Sequence, residues 1–257
     1  MVLVGTLAAC VLFGTAQSAA PVVEKGALRL HYVQIGMTVT GHVPNGMTIE
    51  QAAAAGMDHI AHLPIRGDAG SDEVNKTIAF LREHKTVIDP TQSWNELLGH
   101  AAGTPIAAFQ PGVAKIPPPL NRLFSSAGAD GIDAATARSR LERGLRIVKA
   151  LHDAGVPVVV DTDEGIPGHS VHREIELYVE AGLTPMQALQ AATSVSARAM
   201  KLDAELGTIE RGKRADLVVL NANPLDRIRN IRSVRWTITD GRVYDAPALW
   251  KSVRFQP

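Results

Sequence analysis

From residue 37 onward, short β-branched runs alternate with helix-forming segments, and this alternation restricts the chain to a parallel sheet crossed by helices. Parallel neighbours cannot be joined by a tight turn, and the helical segments supply the crossovers they need. Four strands are readable: residues 37–43 (MTVTGHV), 58–63 (DHIAHL), 86–89 (TVID) and 156–161 (VPVVVD). Between the first two, Thr48 and Gln51 have the spacing of a capping box, and the predicted helix over residues 50–55 stops at Gly56. The alanines at 52–55 give that helix a thin face, so it can lie close against the sheet.

The third strand leads into a Pro/Gly/Ala-rich stretch, residues 99–134, containing FQPG and KIPPPLNRLF. A connection this long in a compact domain is usually functional, and its place beyond a strand predicts a lid. Leu141, Leu145, Val148 and Leu151 then mark one stripe of a helix ending near Gly155. A helix follows over 170–181. Thr184, Pro185 and Gln187 open another with a capping box and a first-turn proline, running towards Ala192 and Met200. From Leu206 the period becomes two. Residues 215–220 (ADLVVL) read as a strand, and 234–239 (VRWTIT) pairs with 242–244 (RVY) through the Asp240-Gly241 turn. The expected layout is an α/β domain over residues 21–204 and an antiparallel β appendage over 205–257.

Charge and cysteine content exclude several roles. Lys and Arg number 26 and so do Asp and Glu, so the chain lacks the basic excess of a nucleic-acid binder. Cys10 is the single cysteine, which leaves any metal to histidines and carboxylates. The apolar run at the start, within residues 1–20, reads either as a secretory signal or as an N-terminus of another kind. No Lys or Arg precedes it, and LAAC at 7–10 has too short a lead to be a convincing lipobox. The first reading implies a periplasmic or secreted protein and the second a cytoplasmic one. No other stretch is long and apolar enough to span a membrane.

Chemistry concentrates at strand ends. His42 closes the first strand, His59 and His62 lie on the second, and the fourth runs into DTDEG with Asp161 and Asp163. On a strand His59 and His62 point to opposite faces, so at most one shares a site with His42. Each of these residues alone has a bland account: a hydrogen-bonded histidine, or an aspartate capping a helix. Together, imidazoles and a carboxylate at converging strand ends make a candidate divalent-metal site with positions left for water.

GHVPNGMTIEQAAAAGMDHIAHL (41–63) resembles the region of the fifth and sixth strands in the amidohydrolase superfamily, in its imidazolonepropionase-like and prolidase-like branch. DTDEGIPGHSVHREIELYVEAGLTPMQALQAATSVSARAMKL (161–202) resembles the eighth strand and the helices after it. LGTIERGKRADLVVLNANPL and the VRWTITDGRVY hairpin are similar to the strands that complete a β-sandwich beside the barrel. The resemblance extends from about Leu28 to Tyr244. It implies a TIM-type (β/α) barrel, here represented by four strands, and a hydrolase holding a divalent metal, zinc foremost, that cleaves C–N bonds of a small amide, cyclic amide or dipeptide-like substrate. By position it implies that His42 and His62 are metal ligands and that Asp163 is both ligand and general base. His59 falls at a non-ligand position and is expected to be structural, and Asp161 receives no role. His169 and His172 are expected to contact substrate or cap a helix, and Glu174 to pair with Arg173 or a neighbour.

The departure from the family pattern is equally specific. The superfamily's HxH pair and its fourth-strand Lys or Glu belong upstream of the first ligand, yet 41 residues precede His42 and no HxH occurs in the sequence. The sequence therefore resembles the second half of such an enzyme. Half a barrel leaves open sheet edges, so association with another copy is expected. Two further readings stay open: the same residues acting on esters, lactones or phosphotriesters, and a catalytically silent fragment or pairing module.

Overall fold

The computed structural model describes residues 2–4, 23–24, 27–28, 38–163 and 165–256. The rest of the N-terminal apolar run, Cys10 and the start of the first predicted strand lie outside the described residues. The architecture is α/β with a separate small antiparallel sheet. Strands β1 (Val2–Val4), β2 (Val23–Glu24) and β3 (Ala27–Leu28) precede β4 (Thr40–Gly41), helix α1 (Ile49–Ala54), β5 (His59–Ala61), α2 (Asp72–Glu83) and β6 (Val87–Asp89). β4, β5 and β6 form a parallel sheet in sequence order. Gly41 is registered with Ile60 and Ile60 with Ile88, so the strand ends point the same way.

The strands are shorter than the sequence predicts. The fourth, expected over 156–161, is reduced to a parallel bridge between Ile88 and Val158, with the Ile88 amide donating to the Pro157 carbonyl at 2.9 Å and the Val159 amide to the Ile88 carbonyl at 3.0 Å. It pairs on one side alone, and Pro157 brings no amide to a ladder. Crossover α1 has the predicted capping box, with the Thr48 side chain accepting from the Gln51 amide and Gln51 accepting from the Thr48 amide. Ala52 and Ala53 are buried in a core shared with Ile60, Ile88, Val148, Leu151 and Tyr178.

Residues 99–134 are not a bare loop. They follow α3 (Gln92–Gly99), contain two 3₁₀ turns and α4 (Pro118–Ser125), and build a local core from Leu97, Ile106, Val113, Ile116 and Ile166. After α5 (Ala134–Asp153) and α6 (Ser170–Glu180), α7 (Pro185–Gln190) continues through a π-type segment, Ala191–Val195, into α8 (Ser196–Ala199). The antiparallel sheet has the order β1, β7 (Leu217–Leu220), β8 (Val234–Thr239), β9 (Arg242–Asp245). The β8–β9 hairpin turns at Asp240 and Gly241, both at positive φ (49° and 70°), the conformation a two-residue turn of this kind requires. The closing helix α9 (Ala246–Ser252) carries Trp250 back over residue 168. Among the described residues no helix is long and apolar enough to cross a membrane.

Candidate metal centre

The parallel sheet brings three predicted residues together just beyond its strand ends. His42 follows β4 and His62 follows β5, and their Nε2 atoms are 3.0 Å apart with the rings tilted by 55°. Asp163, beyond the fourth extended segment, places Oδ2 at 3.6 Å from His62 Nε2. The other nitrogen of His62, Nδ1, lies 2.7 Å from the hydroxyl of Thr91, just past β6. If Nδ1–H donates to that hydroxyl, Nε2 presents a lone pair towards His42 and Asp163, the usual orientation of a ligating histidine. Two imidazoles and one carboxylate suit zinc and its neighbours. They do not make a complete set: among the described residues no three His, Cys, Asp or Glu side chains are arranged to hold a metal ion.

Backbone strain coincides with the cluster. His62, Thr91 and Asp163 have φ of 65°, 43° and 42°. The left-handed region costs non-glycine residues of order 1–3 kcal/mol, most for a β-branched one such as Thr91, and persists where surrounding contacts over-determine it. Thr91 was not singled out from the sequence. Its signal was DPT at a strand end, where proline keeps Asp89 extended and the next residue turns the chain.

Beneath the cluster lies a second group. Asp89 is 1% exposed and stands beside the Asp161 carboxyl. Burial, reinforced by Asp161 and Glu174, pushes its pKa up to about 10. His59 Nε2 is 4.0 Å from Asp89 Oδ2, and burial lowers the His59 pKa. His59 thus faces this inner group and not the His42–His62 pair. Unfolded, Asp89 releases its proton near pH 4, while the folded protein keeps it up to about pH 10. The unfolded state therefore binds fewer protons between these limits, and Asp89 removes stability as pH rises. Asp89→Asn should gain on the wild type from pH 5 to pH 9, by at most about 1.4 kcal/mol per pH unit, in urea unfolding. An advantage that does not change with pH would mean that Asp89 is ionised in the fold.

His169 and His172 occupy packed positions. The His169 ring stacks on Trp250 at 5.1 Å and 9°, and a Cβ on Gly112 would come within 2.1 Å of it. Burial takes its pKa down to about 4 and that of His172 to about 3, with Arg232 adding to both. The capping role open to His169 is not taken, since it precedes α6 without a side-chain cap bond. Glu174 does not pair with Arg173. It is fully buried and accepts the amides of Gln92 (2.9 Å) and Ser93 (2.5 Å); burial raises its pKa to about 7 against the pull of those amides. Arg173 instead binds Glu96 through Nε and Nη2, both at 2.7 Å, and Glu180 through Nη1 at 2.6 Å. Adjacent residues on a helix point apart, so neighbouring opposite charges need not meet.

Comparison with known proteins gives this geometry a family context. Residues 16–244 match the amidohydrolase family. Adenine deaminase 3 of Rhizobium meliloti (strain 1021) is 28% identical over 195 residues, 62% of this chain and 33% of that protein. Imidazolonepropionase of Geobacillus kaustophilus (strain HTA426) is 33% identical over 111 residues, 37% of this chain and 26% of that protein. Among solved structures, a Xaa-Pro dipeptidase with methionine bound in its active site superposes with a TM-score of 0.57 at 27% identity, covering 82% of this chain and 45% of that one. The chain therefore spans about a quarter to a third of these two curated relatives and under half of the dipeptidase.

Proposed function

Because the chain belongs to the amidohydrolase family, whose members are generally divalent-metal dependent, we propose that it is a metal-dependent hydrolase of C–N bonds in a small amide, cyclic amide or dipeptide-like substrate. Relatives named as a deaminase, an imidazolonepropionase and a dipeptidase support that bond class. The observation that carries the reading is the imidazole pair, Nε2 to Nε2 at 3.0 Å, with the Asp163 carboxylate 3.6 Å from His62 at the mouth of the parallel sheet.

His42 and His62 would hold the cation, zinc being the best match to the donors, and Asp163 would join them as a ligand only by moving from its position 3.6 Å from His62, since the three as placed do not form a metal-holding group. A divalent ion there acidifies water and polarises a carbonyl. Asp163, 40% exposed, is open to solvent on one side and accepts the proton of the attacking water as general base. Thr91 holds the His62 ring in the ligating orientation. His169, buried and stacked on Trp250, is given no direct contact with substrate, whereas His172, partly exposed, keeps that role in the proposal. The three strands and the bridge at Val158 are proposed to be one part of a TIM-type barrel, with β4 and the 156–161 segment as edges that further strands or a second copy cover.

Zinc titration of metal-free protein tests the site. Near-stoichiometric binding is expected in the wild type, with loss of at least 100-fold in affinity in a His42→Ala, His62→Ala double variant. Metal-free protein that turns over substrate would sink the reading. A panel of amides, esters and phosphotriesters assigns the bond, because activated water does not choose its electrophile.

A further inference from the structure

We propose that Glu174 is the positioning residue of the two-histidine centre, acting through the start of α3 and Thr91 to hold the His62 ring. The inference rests on the reading of His42 and His62 as ligands, and it begins with an exchange of partners at that helix end.

A helix leaves its first amides without intrahelical acceptors, and a threonine at the preceding position normally serves them with its hydroxyl. Thr91 occupies that position before α3 and makes no side-chain cap bond. Its hydroxyl is turned to His62 Nδ1 instead, at 2.7 Å. The first two amides of α3, those of Gln92 and of Ser93, the second of which a capping hydroxyl could have served, are taken by the two oxygens of Glu174, which reach across from α6, more than 80 residues further along the chain. Glu174 is fully buried, so this carboxylate has been withdrawn from water to do it.

The exchange explains how Thr91 can stay in the left-handed region with φ 43° and ψ 47°. Glu174 grips the two amides that follow Thr91 and so fixes the chain on that side of it. The Thr91 hydroxyl, bonded to no helix amide, meets His62 Nδ1. Without Glu174, Thr91 relaxes towards ordinary capping geometry and its hydroxyl returns to the helix amides. His62 then loses the bond that selects its tautomer.

The test is the His62 ring itself, read by nitrogen NMR in metal-free protein labelled at histidine, with His62→Gln to assign the signals. In the wild type one tautomer should dominate. Glu174→Gln puts an amide NH2 where an acceptor is needed, and the His62 signals should move towards a mixture of tautomers, with zinc affinity falling 10- to 100-fold. Glu174→Asp keeps the charge in the core but is one methylene too short to serve both amides, so it carries the test if the amide variant does not fold, and its His62 shift should be intermediate. A merely structural Glu174 would lower the melting temperature and leave the tautomer ratio at its wild-type value; that result in either folded variant overturns the proposal. Failure of wild-type protein to bind zinc would instead sink the metal reading, since the tautomer comparison needs no metal.

Discussion

Asp163→Asn should lower turnover by about 10²- to 10⁴-fold, the contribution of a positioned general base, while leaving the unfolding midpoint close to that of the wild type. Asparagine is the right replacement for a structural reason. Asp163 sits at φ 42°, a conformation that asparagine and aspartate tolerate better than other side-chain-bearing residues, so the variant removes the base without adding backbone strain. Alanine would confound the two. At 40% exposure the side chain carries little packing, which is why stability should hardly change. The amide also remains a weak oxygen donor, so zinc should still bind through His42 and His62, more loosely. Retained activity with retained metal would remove Asp163 from the chemistry and reassign the proton to another group.

The ends of the elements were the most readable part of this chain, because their signals are local. The Thr48 and Thr184 capping boxes and the Asp240-Gly241 turn each depend on residues within a few positions of one another, and all three are present. The convergence of His42, His62 and Asp163 was legible for a different reason. A parallel sheet puts successive strand ends on one side, which brings histidines and an aspartate together there, but the choice of His62 over His59 and of Asp163 over Asp161 came from the family resemblance. What the sequence could not show depends on contacts distant in the chain. Glu174 was expected to pair with Arg173 or a neighbour, yet its partners are backbone amides at 92 and 93, and Arg173 turns to Glu96. A backbone amide leaves no mark in composition. The 156–161 run is β-branched enough to be a strand, but strand extent depends on neighbours as well as propensity, and here one neighbour is present. The local core of residues 99–134, expected as a lid, could not be read because it is assembled from short turns and borrows Leu97 and Ile166 from outside the segment.

Arg173→Met should cost about 3–5 kcal/mol, the penalty of breaking a buried ion pair by removing one partner. The guanidinium is 4% exposed and lies between Glu96 and Glu180, with Glu176 3.6 Å away and itself bound by Arg232 at 2.6 and 3.0 Å. Despite burial, the two carboxylates bonded to it hold Arg173 firmly in its charged form. Methionine fills much of the volume but leaves Glu96, 9% exposed, with no cation beside it, and that stranded charge is the source of the cost. At about 2–4 °C per kcal/mol for a chain of this size, the melting temperature should fall by roughly 6–20 °C. Arg173→Lys should fall between, since an ammonium cannot reproduce the paired bonds to Glu96. Adding Glu96→Gln to Arg173→Met should recover part of the loss by removing the stranded charge, and the double-mutant cycle measures the coupling. A cost below 1 kcal/mol would mean that water reaches the cluster and that the network holds nothing. The helices it joins, α3 and α6, are those that carry Thr91 to His62 and Glu174 to the α3 amides. If the network does hold them, the same variant should loosen zinc binding even at temperatures where the protein remains folded.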